Sequence, residues 1–101
     1  MKYTYAITVA EGQISAQALM QVKKLSGLSL SEIKERVARG LPLIECDCAD
    51  EEGMELLLEL YAGLDAQGVE ATFLDCGDPA PIQYLRNALD SYRELDEQEY
   101  D

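Results

Sequence analysis

A chain of 101 residues with 48% hydrophobic content supports one core and one domain, and no stretch approaches the roughly 20 apolar residues of a membrane helix. Cys46, Cys48 and Cys76 are an odd number, and Met1-Lys2-Tyr3-Thr4-Tyr5 leads into a strand instead of a signal-peptide apolar region, so reduced thiols in a soluble cytoplasmic protein are expected. The net charge of -12 is lopsided: residues 1–44 carry six Lys/Arg against three acids, and residues 45–101 carry two against seventeen. The acidic part repels phosphate, which excludes direct nucleic-acid binding there, and it attracts a basic protein partner, although the same charge also keeps a small protein in solution.

Tyr3, Tyr5, Ile7 and Val9 alternate with smaller or polar residues as a strand does, and Glu11-Gly12 closes it. Ile14, Ala18, Val22 and Leu25 recur at helical spacing, and Gly27 stands where a helix ends in positive φ. Ser29 and Glu32 have the spacing of a capping box, followed by the apolar stripe Leu30, Ile33 and Val37. Gly40-Leu41-Pro42 breaks that helix, and Leu43 to Cys48 alternate as a second strand with Ile44, Cys46 and Cys48 on one face. Asp50 caps a third helix with Glu51 and Glu52 in its first turn, running to about Ala66 before Gly68 and a third strand from Val69. Asp78, Pro79 and Pro81 then suit the start of a last helix over about 79–95 with the stripe Ile82, Leu85, Leu89 and Tyr92, leaving 96–101 as a fraying acidic tail.

This order predicts an α+β two-layer sandwich: a β-α-α-β-α-β core with a three-stranded sheet, plus an extra C-terminal helix. The second and third strands flank a crossover helix and should run parallel, with the first antiparallel to a neighbour. Apolar residues of the third helix spread over an arc of roughly 200°, about twice what one buried face needs. The C-terminal helix therefore covers either that helix or the sheet face on which Thr4, Ala6, Thr8, Leu43, Thr72 and Leu74 would meet water. A homodimer can use either surface.

The block Gly27-Leu28-Ser29-Leu30-Ser31-Glu32-Ile33-Lys34-Glu35-Arg36-Val37 resembles the pattern Gly-Leu-x-Leu-x-Glu-(Ala/Ile)-Lys-x-x-Val of the C-terminal domain of the bacterial ribosomal large-subunit stalk protein. Leu64-Asp65-Ala66-Gln67-Gly68 followed by Val69–Phe73 is similar to that family's closing helix and strand, so the resemblance covers residues 3–75. The Clp protease adaptor shares the topology. The resemblance implies a surface on the first two helices that recruits a translational GTPase, with Lys23 and Lys34 at the family's basic positions and Lys24 beside them. Ser15 and Met20 stand in place of two further lysines, and Gln17 in place of a small residue.

Histidine is absent, which removes the commonest general base and the commonest neutral metal ligand. No phosphate-cradling glycine loop is present, so no catalytic residue, cofactor or metal is expected. The three cysteines can approach one another if the second and third strands pair, giving a thiol, redox or metal centre as one alternative; packing as small apolar side chains is the other. Glu45, Asp47, Asp50, Glu55 and Glu59 form the candidate acidic face for a basic protein partner, while the helix macrodipole alone accounts for Glu51 and Glu52. The resulting expectation is a non-enzymatic protein-binding domain, such as an immunity-like inhibitor of a basic toxin or nuclease. Lys23, Lys24 and Lys34 carry the alternative, a ribosome-associated role.

Overall fold

A computed structural model describes residues 3–10 and 14–98, with side chains described through Glu94. Its elements are β1 (Thr4–Val9), α1 (Ala16–Ser26), α2 (Leu30–Arg39), β2 (Ile44–Asp47), α3 (Glu51–Ala66), β3 (Ala71–Asp75), β4 (Asp78–Ala80) and α4 (Ile82–Gln98). The α+β architecture agrees with the residue pattern. The helix boundaries follow from local chemistry: Ser15, Ser29 and Asp50 each accept a hydrogen bond from an amide three residues on, and Gly27 and Gly40 close α1 and α2 in the left-handed region. The capping box at Ser29 is half made, because the Glu32 carboxylate turns to Arg36 one helical turn away (3.2 Å) instead of reaching back.

The sheet order is β2-β1-β3-β4, every neighbouring pair antiparallel. β2 and β3 therefore do run parallel to each other, but β1 lies between them. Among the described residues the sheet has four strands, not three. Asp78-Pro79-Ala80 does not begin a helix: Cys76 (φ 53°) and Gly77 (φ 87°) form a two-residue hairpin turn that folds this segment back on β3, and α4 starts only after Pro81. Pro79 is tolerated because β4 is an edge strand, where a missing N–H faces no neighbour. At its other end α4 continues through Gln98, and residues 99–101 of the expected tail lie outside the described residues, as does Glu11-Gly12.

One face of the sheet carries the core. Ile7, Val9, Cys46 and Phe73 pack beneath α3 residues Met54, Leu57, Leu60 and Leu64, with Ala18 and Val22 of α1 and Ile33 and Val37 of α2 completing the cluster. The broad apolar arc of α3 is accounted for on three sides: the sheet below, α1 on one flank and α4 on the other. Leu85 and Leu89 of α4 are buried in this core, so the C-terminal helix covers α3, and none of the described helices lies on the opposite sheet face. Leu43 is not on that open face. Its amide donates to the Ile7 carbonyl (2.8 Å) while Ile44 is the register partner of Ile7, so two residues oppose one, as in a bulge, and Leu43 turns inward.

Candidate protein-interaction surfaces

The five candidate carboxylates do not form one face. Glu45 and Asp47 occupy the alternate positions of β2 to the core residues Ile44 and Cys46, which places them on the outer side of the sheet at its edge. Both are exposed. Asp50 is spent as the α3 cap, its Oδ1 accepting from the Gly53 amide (3.0 Å). Glu55 and Glu59 lie on the solvent ridge of α3, across the thickness of the sandwich from the outer sheet face.

Glu55 is also not a free anion. The Arg93 guanidinium from α4 bridges Glu55 and Glu51 (Arg93 Nε to Glu51 Oε1 3.2 Å), and these two hydrogen bonds, Glu55 first, push the Arg93 pKa up. Residue reasoning missed this clamp. Its signal was present: Glu51 and Glu55 share a flank one helical turn apart, and Arg93 directly follows the α4 stripe that ends at Tyr92. Among the described residues, Glu45, Asp47, Glu52 and Glu59 form no ion pair.

An open hollow of about 330 Å³ lies between α2 and the start of β2, lined by Glu32, Glu35, Arg36, Leu41, Pro42 and Glu45. Arg36 is held by Glu32 and by the Pro42 carbonyl (2.9 Å), and Glu35 is matched by Arg39 (3.1 Å). Glu45 is the unmatched charge of this hollow. The candidate basic set is exposed: Lys23 and Lys24 sit in the last turn of α1, where the helix dipole favours cations, and Lys34 lies on α2. None of the three is in an ion pair among the described residues.

The cysteines do not converge. With β1 between β2 and β3, Cys46 is buried in the core, Cys48 follows β2 in a turn donating its amide to Tyr3, and Cys76 is exposed in the hairpin turn. Burial, then Asp50 and Asp47, pushes the Cys46 thiol up to about 11, so it packs as a neutral group. The Cys76 thiol is also raised, by desolvation and by its hydrogen bond with Asp75. Among the described residues no group of three or more Cys, Asp or Glu is arranged to hold a metal ion. No helix is long and apolar enough to cross a membrane among the described residues. Comparison with family models, with curated proteins and with solved structures returned no match.

Proposed function

We propose that this chain is a non-enzymatic protein-binding domain whose acidic part engages a basic protein surface, as an inhibitor of a basic toxin or nuclease would. The observation that carries this is the pair Glu45 and Asp47: exposed, on one sheet edge and unmatched by a cation among the described residues, in a chain whose charge is -12. Complementary charge speeds encounter with a basic partner and competes with nucleic acid for the same basic groups. The test is capture of partners from native lysate by wild type and by an Asp47→Lys, Glu45→Lys variant, with inhibition of the captured partner's own activity as the second readout. Binding should fall steeply with added salt and be lost in the variant.

A second role, recruitment of a translational GTPase or another ribosome-associated factor, is favoured by Lys23, Lys24 and Lys34, exposed and in no ion pair among the described residues. Charge reversal separates the two. Lys23→Glu with Lys34→Glu abolishing capture, while the β2 variant retains it, would assign the chain to this second role.

A further inference from the structure

We infer that the outer face of the sheet docks a basic amphipathic helix. All four helices gather on the other side, with α3 seated on β1, β2 and β3 and α4 seated on α3. An antiparallel sheet can carry the core on one face and present the other to solvent. Its composition is graded. One cross-strand row reads Glu45, Ala6, Leu74, Pro79, so a carboxylate at the β2 rim gives way to apolar side chains toward β4. Thr8 stands opposite Thr72 in the next row, adding methyl groups, and Asp47 extends the acidic rim in the row on the other side. The four strands contain no Lys or Arg.

That grading selects the occupant, and the sign of its charge rests on the basic-partner role proposed above. A second copy would bring a further -12 and no strand cation to meet Glu45 and Asp47, so self-packing is opposed. Strand addition is opposed as well. Pro79 lacks the N–H that the β4 edge would need, and the Asp47 carbonyl on the β2 edge already accepts from the Asp50 amide (3.0 Å). A helix laid across the strands meets neither obstacle. Its apolar stripe lies over Leu74, Pro79 and the methyl groups of Thr8 and Thr72, with Ala6 buried between them, and Lys or Arg at its end nearest β2 reach Glu45 and Asp47.

The probe is a synthetic Lys/Leu amphipathic peptide of about 18 residues, compared with a scrambled peptide of the same composition and with cytochrome c as a folded basic protein. The amphipathic peptide should shift the amide resonances of Ala6, Thr72 and Leu74. Thr72→Arg and Asp47→Lys, both at exposed positions, should each weaken it by about tenfold or more, and Glu59→Lys on the helix side should leave it unchanged. Equal binding of the scrambled peptide, or shifts confined to α1 and α3, overturns the inference. So does a dimer in sedimentation that Thr72→Arg dissociates, which would give the face to a second copy. If cytochrome c binds and is lost in Asp47→Lys while the peptide does not bind, the helix-docking site is wrong and the basic-partner role stands.

Discussion

Gly53 shows how one hydrogen atom sets a distance between layers. It lies in the first turns of α3 directly over β2, and a Cβ there would collide with the Cys46 side chain and the Asp50 carboxylate. Alanine ordinarily favours a helix interior by about 1 kcal/mol over glycine. Here overpacking against a β-carbon that cannot swing away costs about 1–3 kcal/mol, so Gly53→Ala should lower the urea midpoint. The same crowded spot governs the thiol beneath it. Cys46 keeps its proton up to about 11 in the folded state, above its ordinary 9.0, so the unfolded chain releases that proton first as the solution becomes alkaline. Its contribution to stability is intact below pH 9.0 and is lost as pH rises toward 11. Urea midpoints measured across that window should fall more steeply for wild type than for Cys46→Ala. In the hairpin turn, Cys76 holds a positive φ that asparagine tolerates better, and Cys76→Asn should raise the thermal midpoint, with a gain of up to about 1 kcal/mol.

At the scale of elements, α4 is attached to α3 by two different kinds of interaction. Leu85 is fully buried, and Leu85→Ala should cost about 2–5 kcal/mol in a denaturant titration. The Arg93 clamp is half exposed, so Arg93→Ala should move the denaturant midpoint far less than Leu85→Ala does, and a double-mutant cycle with Glu55→Ala should return only a weak coupling. The helices were legible because their signals are local: caps at Ser29 and Asp50, a terminator at Gly27, stripes at helical spacing. The β4 strand was not. Asp78-Pro79-Ala80 is too short to show alternation, and its prolines fit a helix start as well as a sheet edge; the deciding cue, positive φ at Cys76-Gly77, is a property of the turn and not of the strand. The acidic site was legible as a set of residues but not as a surface. Strand parity sends Glu45 and Asp47 to one side, and the α3 ridge sends Glu59 to the other, a separation that appears only once sheet and helix are stacked.

For the whole molecule, the excess of carboxylates over cations means self-repulsion in the compact state. Raising the salt concentration should therefore stabilise the free domain while weakening its hold on a basic partner, two opposite trends that thermal melts and titrations can follow in the same buffers. The strand order carries a consequence for how the chain reaches this state. β1 precedes the other described elements in the chain and sits between β2 and β3, paired on both sides. Its partnership of Ile7 with Phe73 cannot form until β3 has been made, after α1, α2 and α3. During synthesis β1 must wait for its β3 partner, with Ile7 and Val9 uncovered, while the three helices between them are made. Folding of this kind is slow for its length and vulnerable to mispairing on the way. A nascent chain stalled before Thr72 should remain sensitive to protease throughout β1, and one in which α4 has also left the exit tunnel should become resistant in a single step.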